Sequence, residues 1–186
     1  MSHRRPPATL LASLAAVFAI FTAGCGRHDG PGPSPSPTLP PTSATSTATV
    51  DPQQADRAAV TAVYGQFWRL VWTLDRVSAP QRRVVLAQAA VDPALGRAVA
   101  AAEVHQREGI TLYGQVVPHP TAITFPEANR AVITDCQDAH AAGQADARTG
   151  RHKTVGVARS PVKATAVRST DGAWRIAEAT YTGGTC

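Results

Sequence analysis

The first fifty residues of the chain restrict what can fold, because their second half offers almost nothing for a core. Residues 26–50 are dominated by proline, serine and threonine. Such a segment buries too little apolar surface to offset the conformational entropy that is lost on folding. We interpret residues 25–50 as a disordered tether, which as polyproline II would reach about 75 Å at roughly 3.1 Å per residue. A glycosylated Ser/Thr-rich stalk is the alternative.

Residues 1–24 have the pattern of a removable signal. Residues 3–5 are His-Arg-Arg, and residues 8–21 form an apolar run that is shorter than a membrane span of about 20 residues. The motif Thr22-Ala23-Gly24-Cys25 follows, and it resembles the lipobox of bacterial lipoproteins, with threonine where leucine is usual. We predict a signal peptide over residues 1–24 and a lipidated, palmitate-bearing Cys25. Ordinary signal cleavage and a retained anchor are the alternatives.

All three readings of the leader place the domain outside the cytoplasm. We therefore expect the extracytoplasmic face of the cell membrane, with the membrane itself as a partner through the lipid. The formal net charge is +5, and loss of Arg4 and Arg5 with the leader leaves 16 basic against 13 acidic side chains. So mild a charge, without a run of like charges, predicts no nucleic-acid binding.

The cysteine count supports the same location. The chain has three cysteines, and lipidation of Cys25 leaves Cys136 and Cys186 as an even pair in an oxidising compartment. We predict a disulfide between them, with two free thiols as the alternative.

Residues 51–186 remain as one domain, and its first half has helical patterns. Asp51-Pro52 predicts a helix start, and apolar residues at three- and four-residue spacing continue to about Val77. Ser78-Ala79-Pro80-Gln81 predicts a second helix through a capping box, and Asp92-Pro93 a third that ends at Gly109. The first predicted helix carries four of the chain's ten aromatic residues, namely Tyr64, Phe67, Trp68 and Trp72.

After Gly109 the sequence predicts strands, because runs rich in Val, Ile and Thr alternate with turn residues. Thr170-Asp171-Gly172 predicts a hairpin turn, Pro161 a bend, bulge or edge position, and residues 139–153 an extended loop. Helices followed by a mainly antiparallel sheet predict an α+β fold. The expected strands are 110–117, 121–125, 130–138, 154–168 and 173–181.

This order of elements resembles the nuclear transport factor 2-like (NTF2-like) cone fold, in which helices pack on a curved sheet. Three further motifs are similar to those of secreted or lipidated actinobacterial proteins of unknown function. They are the segment Asp135-Cys136-Gln137-Asp138, the loop Asp146-Ala147-Arg148-Thr149-Gly150 and the terminal Cys186. The resemblance covers residues 55–186 and implies the fold and the disulfide, whereas it implies no reaction.

Cone-fold enzymes place an acid–base side chain inside the concave face. Asp135 and Cys136 are neighbours on a predicted strand and point to opposite faces. If Cys136 faces outwards to the terminal segment, Asp135 faces the cone. We therefore take Asp135 and His119 as weak catalytic candidates, and Tyr64, Trp72, Tyr113 and Asp135 as pocket candidates.

The densest set of carboxylates and imidazoles is Asp135, Asp138, His140, Asp146 and His152. Their spacing fits no zinc or calcium pattern, so we predict no metal, and no motif predicts a cofactor. We expect Asp146 and Thr149 to hold a turn, and His105 to face solvent at a helix end.

These patterns favour a non-catalytic domain that binds a small molecule or an envelope protein. The alternative is a small-molecule isomerase or hydratase with an acid–base residue in the cone. A structural assembly role is a third hypothesis.

Overall fold

The computed structural model describes residues 52–186, which form three helices and six strands. The predicted signal peptide, Cys25, the tether and Asp51 lie outside the described residues. No helix within the described residues is long and apolar enough to cross a membrane. The elements are α1 Pro52–Val71, α2 Ala79–Leu86, α3 Ala94–Arg107, β1 Ile110–Tyr113, β2 Pro120–Glu127, β3 Arg130–Gln137, β4 Gly143–Asp146, β5 Ser160–Arg168 and β6 Trp174–Tyr181.

The strands form two antiparallel sheets. Strands β2, β3, β5 and β6 are neighbours in that order, and β1 pairs with β4 in a separate two-stranded sheet. Helices α1 and α3 both pack against β6. The predicted α+β class, with helices on a mainly antiparallel sheet, is therefore confirmed.

The turn between β5 and β6 has the predicted sequence. Gly172 has φ 82°, a left-handed value that favours glycine, and the amide of Ala173 donates to the carboxylate of Asp171 over 3.1 Å. Pro161 is the second residue of β5, opposite Cys136. It therefore lies at the start of a central strand, one of the few strand positions that tolerate proline.

The first helix ends earlier than predicted. Helix α1 stops at Val71, and residues Leu74–Arg76 form a 3-10 turn instead of continuing to about Val77. The hydroxyl of Thr73 donates to the carbonyls of Arg69 and Leu70 over 3.1 and 3.2 Å. These local bonds satisfy carbonyls at the helix end and favour termination there.

Residues 139–153, predicted as an extended hairpin loop, contain an antiparallel bridge between Ala145 and His152 and also a strand that the sequence did not indicate. They contain β4, in which Gly143 lies opposite Tyr113 of β1. A Cβ on Gly143 would lie 2.3 Å from the carbonyl oxygen of Thr154 and 2.9 Å from the Tyr113 ring. The close approach thus requires glycine. Because glycine is a poor strand former, the sequence pattern does not predict a strand here.

Cys136 and Cys186 form the predicted disulfide, with their Cα atoms 5.8 Å apart. The bond joins β3 to the end of the chain across a sequence separation of 50 residues. In the chain-entropy description, closing such a loop stabilises the fold by about 4 kcal/mol.

Replacing both cysteines by alanine is expected to lower the free energy of unfolding by about 3–4 kcal/mol, since the unfolded chain loses its constraint. Urea denaturation measures the change, and wild-type protein in reductant serves as the control. Equal unfolding midpoints for the variant and the oxidised wild type would contradict the prediction. So would alkylation of both thiols in non-reduced protein.

Candidate functional site

One face of α1, extended by the residue that follows it, carries an aromatic stripe, which we define as Tyr64, Trp68 and Trp72. The four-residue spacing places these side chains on the same face of the helix. The Tyr64 and Trp68 rings meet edge to face, with centroids 6.2 Å apart. At the other end, the indole Nε1 of Trp72 donates to the carbonyl of Tyr113 over 3.0 Å. The stripe therefore extends along α1 as far as β1, which Trp72 contacts through this hydrogen bond.

At its inner end the stripe meets Asp135 of β3, which is 1% exposed. The Tyr64 hydroxyl donates to Oδ2 of Asp135 over 2.8 Å, and the backbone amide of His119 donates to Oδ1 over 2.6 Å. Burial raises the pKa of Asp135, although both hydrogen bonds oppose that effect. Burial, and then the charge of Asp135, raise the pKa of Tyr64 as well.

Tyr181 at the end of β6 lies beside the same cluster. Its ring packs 5.9 Å from that of Trp68, between centroids, and its hydroxyl donates to Oε1 of Gln137 over 2.5 Å. Burial raises the pKa of Tyr181 to about 12, and the Asp135 charge acts in the same direction. Tyr181 is 50% exposed, and its hydroxyl bonds a buried polar layer that Gln137 forms with Asp135, which are 0% and 1% exposed.

A cavity of about 450 Å³ opens in front of this layer, and we call it the apolar cavity. Its aromatic walls are Trp68, Trp72 and Tyr181. The opposite wall comes from small residues after β3, including Ala139 and Gly156. A Cβ on Gly156 would lie 2.3 Å from the carbonyl oxygen of Ala139, so the segments can approach closely only with glycine here.

His105 of α3 also lines the apolar cavity, which corrects the expectation that it faces solvent. Its side chain is half-buried, and its Nδ1 atom is buried without a hydrogen-bond partner among residues 52–186. The earlier expectation was wrong because helical position alone does not show that the segment after β3 folds across the end of α3.

The predicted pocket residues separate into three positions. Trp72 lines the apolar cavity, whereas Tyr64 and Asp135 lie behind it in the core. Tyr113 stacks on His152, with ring centroids 3.6 Å apart, and its hydroxyl donates to the carbonyl of Thr154 over 2.8 Å. It therefore supports a wall segment of the cavity.

The two catalytic candidates are joined through the backbone only. His119 is exposed, and it contacts Asp135 through its main-chain amide. Asp135 faces α1, where Tyr64 bonds it, and Ala131 and Ile133 alternate with it and are also buried. Sequence reasoning missed Val157 and Ser160, which line the cavity from the segment before β5 and from the first residue of β5.

The acidic loop residues hold turns. Oδ1 of Asp146 accepts hydrogen bonds from the amide of Thr149 over 2.8 Å and its hydroxyl over 2.9 Å, which lowers the pKa of Asp146. Oδ1 of Asp138 accepts from the amide of His140 over 2.9 Å and lies 2.7 Å from Nδ1 of that residue. The described part of the chain contains no group of three or more side chains arranged to hold a metal ion.

Comparison with solved structures finds matches of low sequence identity. The intermembrane space region of the chloroplast protein ARC6 matches with a TM-score of 0.49 and 14% identity, over 72% of this chain and 98% of that one. A protein from Catenulispora acidiphila matches with a TM-score of 0.44 and 18% identity, over 68% of this chain and 90% of that one.

A ketosteroid isomerase-like protein from Erwinia carotovora matches with a TM-score of 0.42 and 11% identity, over 68% of this chain and 96% of that one. The likeness concerns the fold and says nothing of activity. No protein-family model and no curated protein matches the sequence.

The buried Asp135 gives a pH-dependent stability with a definite sign. A carboxylate with a raised folded-state pKa stabilises the fold fully below its unfolded pKa, and this contribution is lost as the pH rises through the folded value. The free energy of unfolding of the wild type, relative to Asp135→Asn, is therefore expected to increase as the pH is lowered from 7 towards 4. Urea denaturation at each pH measures the difference.

Asp171→Asn provides a control of opposite sign. The side chain of Arg175 holds the pKa of Asp171 at about 2, so its contribution is lost as the pH falls. The difference in free energy of unfolding between wild type and Asp135→Asn should change with pH, and in the opposite direction to that for Asp171→Asn. If it does not change, or changes in the same direction, the account of Asp135 is wrong.

Proposed function

We propose that the protein is a lipid-anchored extracytoplasmic lipoprotein whose domain binds a small, mainly apolar molecule without converting it. The apolar cavity is the observation that carries this proposal. Its volume of about 450 Å³ falls within the range of about 300–1,000 Å³ that is usual for small-molecule sites.

The walls of the cavity favour a flat or branched apolar ligand. Trp68, Trp72 and Tyr181 offer ring surfaces, and Val71 and Leu112 add aliphatic surface. Rigid aromatic side chains contribute large contact areas at low entropic cost. A ligand of this class carries few polar groups, one of which would bond the unpartnered Nδ1 of His105.

The charges around the cavity support binding without catalysis. Within the described chain, the lining residues include no Asp, Glu, Lys or Arg. Both carboxylate oxygens of Asp135 already accept hydrogen bonds in the core. A general base must come within about 3 Å of the proton that it removes, and Asp135 is not among the lining residues.

An isomerase or hydratase is the second candidate function, and the buried Asp135 with its raised pKa is the observation that favours it. A ligand would have to displace Tyr181 or Trp68 to reach the carboxylate. Turnover of a small molecule that Asp135→Asn abolishes, with the fold intact, would replace the binding proposal by this one.

The anchor is proposed from the sequence motif. Lipid on Cys25 and a proline-rich tether of residues 26–50 would present the domain to molecules of the envelope or the exterior. An envelope protein remains a proposed partner on the same grounds.

Val157→Asp is expected to weaken binding of the neutral apolar probe N-phenylnaphthylamine about tenfold or more, which corresponds to about 1.4 kcal/mol. Val157 lines the cavity and is 59% exposed, so the carboxylate enters the site at little cost to the fold. Probe fluorescence measures the dissociation constant, and circular dichroism checks the fold.

Val155→Asp is the matched control. Val155 lies two residues away, is 68% exposed and is not among the lining residues. Its variant carries the same added charge and is expected to bind the probe as the wild type does. Equal weakening in both variants, or in neither, would contradict the proposed site.

Cys25→Ser is expected to abolish incorporation of labelled palmitate and to move the protein from the membrane to the soluble fraction, because serine has no thiol to acylate. Cys136→Ser serves as the control and should retain the label. Palmitate on Cys25→Ser, or an unlabelled wild type, would overturn the anchor.

A further inference from the structure

A second cavity, of about 420 Å³, lies between the start of α2 and the end of α3, and we call it the polar cavity. It is separate from the apolar cavity, because the two share no lining residue. Its lining includes the ionisable residues Asp75, Arg76 and Arg82. Two arginines against one aspartate give it a positive balance.

Arg82 is the unusual residue of this cavity, since its side chain is only 1% exposed. Its Nε donates to the carbonyl of Val77 over 3.0 Å, and its Nη2 donates to Oε1 of Gln106 over 2.9 Å. Its Nη1 is buried and has no hydrogen-bond partner within residues 52–186. One edge of the guanidinium is therefore left without an acceptor.

Nor does any carboxylate of the described residues form an ion pair with Arg82. Its exposed neighbour Arg83 does have such a partner, Asp92. A buried charge without a counter-charge is costly, and an arginine keeps its charge in proteins. Among the described residues, no anion therefore balances the charge of Arg82.

One further group at the polar cavity lacks a partner. Oδ2 of Asp75 accepts from the hydroxyl of Thr111 over 2.5 Å and the amide of Leu112 over 3.1 Å, whereas Oδ1 is buried without a partner among the described residues. Ser78 precedes α2 but its hydroxyl bonds Gln81 Oε1 rather than capping the helix amides. No side chain of the described residues caps the first turn of α2, in which the amides of Gln81 and Arg82 donate to the carbonyl of Ser78 over 2.9 and 3.2 Å.

We infer that the polar cavity binds a small carboxylate that carries an adjacent hydroxyl group, as in 2-hydroxy acids. The ligand carboxylate accepts from Nη1 of Arg82, for which a planar carboxylate is the matching acceptor. The ligand hydroxyl donates to Oδ1 of Asp75. Sulfate satisfies only the first requirement, because it carries no proton for Asp75 at neutral pH, whereas hydrogen phosphate carries a hydroxyl on a tetrahedral anion and is therefore the competing ligand class.

Isothermal titration of the mature protein with glycolate, acetate and phosphate tests the inference. Glycolate is expected to bind at least tenfold more tightly than acetate. Arg82→Met should weaken glycolate binding at least tenfold, whereas Arg83→Met, which removes a neighbouring exposed charge, should leave it unchanged. Failure of glycolate to bind at millimolar concentration, or equal effects of both variants, would overturn the inference, as would phosphate binding more tightly than glycolate.

Asp75→Asn separates the two parts of the site. The amide oxygen can still accept from Thr111 and Leu112, while the amide nitrogen replaces the free acceptor Oδ1. The preference for glycolate over acetate should then fall to about one, and an unchanged preference would contradict the role of Asp75. If Arg82→Met does not fold, Arg82→Lys replaces it and should weaken glycolate binding, because an ammonium lacks the planar fork. Wild-type affinity in Arg82→Lys would contradict the inference.

Discussion

The hydrogen bond between the Tyr64 hydroxyl and the Asp135 carboxylate is the contact on which the rest of the site depends. It ties α1 to β3 over 2.8 Å, in a core where Asp135 is 1% exposed. A buried carboxylate without donors would be costly. The Tyr64 hydroxyl and the His119 amide satisfy Asp135, and the Tyr64 bond holds α1 against β3. With Tyr64 held, the four-residue spacing places Trp68 and Trp72 at the cavity wall.

The same arrangement separates chemistry from binding. Asp135 is the only buried carboxylate of the described core, and it accepts a structural hydrogen bond from Tyr64. The surface left in front of it is apolar and formed by aromatic rings and small residues. This division favours a domain that encloses an uncharged molecule, while the unpaired Arg82 of the second cavity favours an anionic one. Each site includes one residue near the end of α3, His105 in the apolar cavity and Gln106 in the polar cavity.

Local patterns predict much of the fold and only part of the site. The starts of α2 and α3 follow from the prolines near their first turns, and the hairpin at Gly172 and the Cys136–Cys186 bond follow from turn residues and cysteine count. Strand β4 and the wall at Val157 do not, because they depend on a glycine-permitted crossing of distant segments. In the sequence, Arg82 is distinguished from Arg83 only by its position four residues before Leu86. This spacing places Arg82 on the same helix face as Leu86, which is buried.

The most direct test of the account is the position of N-phenylnaphthylamine in the bound protein, measured by intermolecular nuclear Overhauser effects. We predict contacts from the probe to the indole protons of Trp68 and Trp72 and to the methyl groups of Val157. Contacts confined to other residues would contradict the claim that the space beside the aromatic stripe is the ligand site, as would the absence of any contact under saturating probe.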